Sequence, residues 1–166
     1  MAVPAKIRLF PDPVLRQSAA FVRDFGPGLR RTLEQMLQTM RAQPSGIGIA
    51  APQIGISQRI AIVDVSARVP GAQRRDFINP EILAMESEIE SREGCMSLPE
   101  YTGTIKRFNR VKIRWQDAQG KASESWFEGV EARCIQHEID HLNGLLFMDR
   151  VTSLRTDLRP RGFQKP

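Results

Sequence analysis

Residues 136–144 read QHEIDHLNG and contain both histidines of the 166-residue chain. A helix carries residues i and i+4 on one face, one turn apart, so His137 and His141 can aim both imidazoles at a single ion. Glu138 lies about 100° around the helix from His137, beside such an ion rather than on it. A carboxylate there accepts a proton from an acidified water and leaves every coordination position free, which is the physical content of the H-E-x-x-H pattern. Two histidines packed on an amphipathic face are the ordinary structural alternative, but that arrangement requires neither the spacing nor the glutamate. The stretch also constrains the fold. A catalytic metal takes three protein ligands and one open position, so a third ligand must reach this helix.

Cys134 shares the helix face, yet it stands seven residues before His141, roughly 10.5 Å along a helix axis. With metal–ligand bonds of roughly 2.0 to 2.3 Å, one regular helix does not easily close all three side chains onto one ion. The third ligand is therefore expected from elsewhere. Cys95 is the only other cysteine and sits in EGCMSLP, where Gly94 lets the backbone approach another element closely. The spacing favours Cys95 and leaves the carboxylates of Glu128 and Asp149 open, as in zinc peptidases.

Hydrophobic periodicity supplies the surroundings. Leu29, Leu33, Met36, Leu37 and Met40 fall at helical spacing in residues 28–41, after Gly26-Pro27-Gly28 and before Pro44. RIAIVDV (59–65) reads as a buried strand. RRDFINPEI and LAMESEIESRE read as strands broken by an Asn79-Pro80 turn. GTIKRFNRVKIRWQD and KASESWFEG are expected to pair across the Asp117–Gly120 turn. VEARCIQHEIDHLNG then returns to helical spacing, with Gly144 placed to end the helix. The expected fold is α+β: antiparallel β-sheets packed around a late metal-binding helix, with an N-terminal helix, in a single domain over 1–166. Residues 153–166 are expected to be a short irregular tail.

Composition sets outer bounds. Hydrophobic residues at 41% and charged residues at 26% suit a soluble globular chain, and no apolar run approaches a membrane span. MAVPAKIRLFPDP lacks a secretory apolar region, so a cytoplasmic location is expected, and there two cysteines point to metal binding or burial rather than a disulfide. The net charge of +5 reads as surface-solubilising arginine, since a total is no footprint for RNA.

GIGIAAPQ (46–53), EGCMSLP (93–99) and QHEIDH (136–141) resemble, in order and spacing, the three signature motifs of peptide deformylases, and the likeness extends through FINPEI and LFMDR over roughly residues 5–150. The resemblance implies Cys95 as third ligand with His137 and His141, and a single divalent ion, ferrous iron in the cell, with Zn2+, Ni2+ or Co2+ possible in a purified sample. It implies Glu138 as the proton-transferring base, and Gln53 with the backbone N–H of Met96 as donors to the oxyanion. The implied reaction removes the formyl group from N-terminal formyl-methionine of nascent polypeptides. It further implies a peptide lying extended along Ile47, Gly48 and Gly94, a methionine pocket bordered by Arg133 and Cys134, and a Glu93–Arg107 pair bracing the cysteine loop. Ile49 and Met96 stand where leucine is commonest in the family. Many bacterial members end in a basic helix associated with ribosome docking, whereas Pro160 and Gly162 oppose one here. A monomer with ribosome contact weakened accordingly is expected. An H-E-x-x-H endopeptidase and a non-catalytic protein with a structural metal are the competing readings.

Overall fold

The computed structural model describes residues 2–162. The Leu29–Met40 spacing produces helix α1, Pro27–Arg41, with proline in its first turn, where the missing amide donor costs nothing. Strands β1 (Gly48–Ala50), β2 (Ile60–Val63), β3 (Arg75–Cys95), β4 (Leu98–Gln116) and β5 (Ala122–Glu128) follow, then helix α2 (Gly129–Leu142) and strand β6 (Leu158–Pro160). All strand pairs are antiparallel in one open sheet of order β1-β2-β3-β4-β5, with β6 added to β4. This is the expected α+β arrangement, realised as a single sheet because β3 and β4 are long enough to serve both ends of it.

Strand β2 shows how the sheet joins the helices. Ile60 and Ile62 pack with Leu33, Met36, Leu37 and Met40 of α1, whereas Ala61 and Val63 pack with Ile135, Ile139 and Leu142 of α2. Strict alternation thus gives each helix one face of the sheet, and the unbroken apolar run IAIV is what a strand covered on both sides requires. Helix α2 is threaded into the interior, with Cys134 through Leu142 all buried. It ends at Gly144 as expected: φ there is 74°, and a Cβ would lie 2.7 Å from the Arg16 carbonyl oxygen.

Two expectations are corrected. Asn79-Pro80 does not separate two strands, because β3 is continuous from Arg75 to Cys95. The pair marks a register shift between Ile78 and Glu81, and such a bulge bends a strand without ending it. Asn79 adopts φ 51°; its Oδ1 accepts from the Val22 amide at 2.8 Å and its Nδ2 donates to the Val22 carbonyl and to Gln116. The stretch 153–166 is not wholly irregular either. Leu158–Pro160 pairs with Tyr101–Gly103 of β4, and proline is tolerated at that sheet edge, where its lack of a donor is harmless. No helix forms between 151 and 162, and Phe163–Pro166 lie outside the described residues.

Among the described residues β1 pairs only with β2, and β3 from Ile82 to Cys95 pairs only with β4. Each strand therefore leaves one edge open, and both border the same cleft.

Candidate active site

Three elements converge on that cleft. Helix α2 brings His137 and His141, whose rings meet edge to face with centroids 4.9 Å apart. The end of β3 brings Cys95 at a register shift after Gly94, and the first strand leads through Ala50 into a single turn carrying Gln53. The ligand atoms of Cys95, His137 and His141 all lie within 4.8 Å of one another, and Cys95 Sγ is 3.3 Å from His141 Nε2. The carboxylates left open by the sequence stand elsewhere: Glu128 pairs with Arg110 at 3.0 Å, and Asp149 pairs with Arg16. Cys134 lines the cleft but is not in the cluster, its Sγ pointing to the Ile47 carbonyl oxygen at 3.6 Å.

The donor set and its field both suit a divalent cation. Burial alone would raise the Cys95 thiol, but the charges and hydrogen bonds of His141 and His137 hold it well below the ordinary thiol range. Burial works against a proton on His137, yet Cys95, Glu93 and Glu138 together raise it well above the usual imidazole value. The surroundings therefore stabilise positive charge, and a thiolate with two imidazoles accommodates zinc, iron, nickel or cobalt. Glu138 is also buried, and its Oε2 has no hydrogen-bond partner among the described residues. Burial pushes its carboxyl up to about 7, the range in which a general base works best at neutral pH.

His137 is oriented from behind. Its Nδ1 lies 2.8 Å from Glu93 Oε2, which leaves Nε2 for the cluster. Arg107 grips Glu93 with two hydrogen bonds of 2.7 and 3.0 Å and reaches Asp140 at 2.7 Å. Arg150 closes the other side of Asp140 with two more, at 2.5 and 2.6 Å. Burial is outweighed at Glu93 by its bonds to His137 and Arg107, which lower its carboxyl to about 2. The sequence reading paired Glu93 with Arg107 but missed Asp140 and Arg150. The available signal was Asp140 itself, an acid on a helix expected to be buried, since buried carboxylates need a partner.

Gln53 is almost fully buried and its amide has one orientation. The Ala50 N–H donates to Oε1 at 2.9 Å, so Nε2 faces the cluster, donating to Ser97 Oγ at 3.2 Å with Cys95 Sγ at 3.6 Å. Ser97 was not singled out in the sequence. Ile47, Gly48, Gly94, Met96, Arg133 and Cys134 all line the cleft of about 890 Å³. Gly48 lies directly against α2: a Cβ there would collide with Glu138 Oε1 and sit 2.6 Å from Cys134 Sγ. Arg133 is held by Asn109 at 3.0 Å, and burial raises the Cys134 thiol well above its usual value, keeping it protonated.

Residues 4–157 match the sequence profile described as Polypeptide deformylase. A peptide deformylase of Thermotoga petrophila is 46% identical over 148 residues, covering 89% of this chain and 87% of that protein. The crystal structure of the Thermotoga maritima peptide deformylase superposes with a TM-score of 0.84 at 43% identity, over 91% of this chain and 99% of that one. A class I type b peptide deformylase from Acinetobacter baumannii, solved with Met-Ala-Ser bound, gives a TM-score of 0.84 at 35% identity, over 91% and 100% of the two chains.

Proposed function

The chain belongs to the polypeptide deformylase family, and from that premise we propose how its own residues remove the formyl group from N-terminal formyl-methionine. The enzyme is a peptide deformylase, an amide hydrolase that releases formate and a free amino terminus. The observation that carries the assignment of roles is the convergence of Cys95, His137 and His141 beside a buried Glu138 and the inward-facing Gln53 amide.

Cys95, His137 and His141 would hold one divalent ion, ferrous iron in the cell. When bound, it supplies Lewis acidity, lowering the pKa of a water and drawing electron density from the formyl carbonyl. Glu138 takes the proton given up by the attacking water and delivers it to the departing amine nitrogen. Gln53 Nε2 and the Met96 N–H donate to the formyl oxygen as it gains negative charge, an interaction that strengthens toward the transition state. Glu93, held by Arg107, fixes the ring of His137 and thereby the geometry of the ligand set.

The substrate is proposed to enter as an extended strand between the open edges of β1 and β3, bonded through Ile47, Gly48 and Gly94. The Met-Ala-Ser seen in the Acinetobacter enzyme supports a peptide in this cleft. The methionine side chain turns to the buried side, bordered by Val130, Arg133 and Cys134. No described helix is long and apolar enough to cross a membrane. Action as a monomer on nascent chains in the cytoplasm completes the reading, and ribosome contact does not use a C-terminal helix between 151 and 162.

The test pairs a formylated with an acetylated peptide. Formate is released from the first and nothing from the second, and Glu138→Ala retains the ion but loses turnover by about 10²–10⁴-fold. Near-normal turnover in that variant would refute the role of Glu138, and metal analysis after anaerobic purification tests the iron.

A further inference from the structure

Resting on the deformylase reading and on a peptide added along β3, we propose that Arg161 and Arg92 form a cationic lip. It reads the residue directly after the formyl-methionine and favours an acidic side chain there. Side chains of a strand added to an open edge alternate in step with those of the strand it joins. On β3, Ser91 and Cys95 are buried and Glu93 is nearly so, whereas Arg92 and Gly94 face solvent. A methionine directed to the buried side therefore places its successor on the face of Arg92 and Gly94.

Gly94 leaves a gap on that face, and Arg161 fills it. A Cβ built on Gly94 would run into Arg161 Nη2, with Thr102 Cγ2 at 3.7 Å. Thr102 stands directly across the ladder from Gly94, and Arg92 Nη2 donates to its Oγ1 at 3.3 Å. Arg161 thus lies over Gly94 and Arg92 over the threonine across the ladder from that glycine, and both arginines line the cleft. Arg161 is held there by β6: its backbone N–H donates to the Glu100 carbonyl oxygen at 2.7 Å, continuing the pairing of Leu158–Pro160 with β4.

Among the described residues neither Arg92 nor Arg161 is ion-paired with a carboxylate. The cleft's own carboxylates do not answer them. Glu93 is engaged by Arg107 and His137, and Glu138 is buried against Gly48. Glu90, on the same exposed face as Arg92, makes no ion pair with either arginine among the described residues, while Lys106 across the ladder from it pairs with Glu88. Two unmatched forks on one exposed face suit a carboxylate and repel an ammonium group.

The test measures formate release by the metal-loaded, full-length enzyme from formyl-Met-Glu-Ser, formyl-Met-Gln-Ser and formyl-Met-Lys-Ser. At low ionic strength kcat/KM is expected to fall in that order, with glutamate over lysine by about tenfold, shrinking at ~0.5 M salt. Arg161→Glu reverses the order of glutamate and lysine; Arg161→Gln narrows the ratio to about threefold, and Arg161→Lys restores most of it. A glutamate-to-lysine ratio within twofold in the parent enzyme, or one unchanged in both Arg161→Glu and Arg161→Gln, overturns the lip. Formate release with no charge preference sinks only this inference, whereas no release from any formylated peptide sinks the deformylase roles beneath it.

Discussion

Replacing Arg107 with methionine removes the centre of the buried ion network while keeping an unbranched apolar stem of similar reach. The Arg107 side chain is 2% exposed and contacts Glu93 and Asp140, themselves 10% and 6% exposed. Breaking a buried pair costs about 3–5 kcal/mol, chiefly because a charge is left unpaired. Asp140 keeps its two bonds from Arg150, whereas Glu93 keeps only His137. The loss therefore belongs at the lower end, about 3 kcal/mol. For a chain of this size that lowers Tm by about 6–12 °C. Thermal and urea unfolding of the metal-free protein measure it, and metal titration reads the second consequence: an unbraced Glu93 orients His137 less well, weakening metal affinity by about 10–100-fold. Arg107→Lys keeps the charge but cannot fork to both acids, and falls between. Adding Glu93→Gln to Arg107→Met removes the stranded carboxylate and recovers part of the stability. A destabilisation under about 1 kcal/mol, with metal affinity unchanged, would refute the view that this network is energetically coupled to the ligand set.

Cys95→Ala is expected to abolish the metal-dependent part of stability. The parent protein melts lower after chelation, because an ion that binds only the folded state stabilises it, and the variant melts identically with or without chelator. Gly48→Ala forces a methyl group against Glu138 and Cys134, so kcat/KM should drop by about 100-fold through displacement of the base; parental kinetics would contradict the packing. Burial sets Glu138 near 7 without an ion, and a neighbouring dication favours the carboxylate. Activity of the loaded enzyme should thus rise with pH on an acid limb centred below 7, and a limb at or above 7 would count against Glu138 as the base.

What could be read from the sequence divides by range. His137, Glu138 and His141 are set by helical spacing alone, which is local, and α2 delivers that spacing. Cys95 required a longer inference: helix rise made Cys134 an awkward partner, counting left one other cysteine, and the resemblance agreed. The structure brings Cys95 to the two histidines through the β3 bulge, a feature no local pattern encodes. Asn79-Pro80 misled because an asparagine at positive φ serves a bulge as well as a turn, and the deciding partners, Val22 and Gln116, lie 57 and 37 residues away. Arg150 and Asp140 were missed for the same reason, since their significance depends on Arg107 arriving from β4. The C-terminal strand escaped because Leu158–Pro160 has no periodicity of its own and is defined by the edge of β4.

The two open strand edges that flank the cleft have a kinetic consequence. On the proposed binding mode, a terminus fills that space only while its own amides and carbonyls are unspent, and hairpins close in about 1–10 μs once enough chain is available. A polypeptide whose first residues have already joined a helix or sheet of their own would have to unfold locally before it could enter. The enzyme therefore competes with the folding of its own substrate, and the shape of the cleft sets a deadline as well as a specificity.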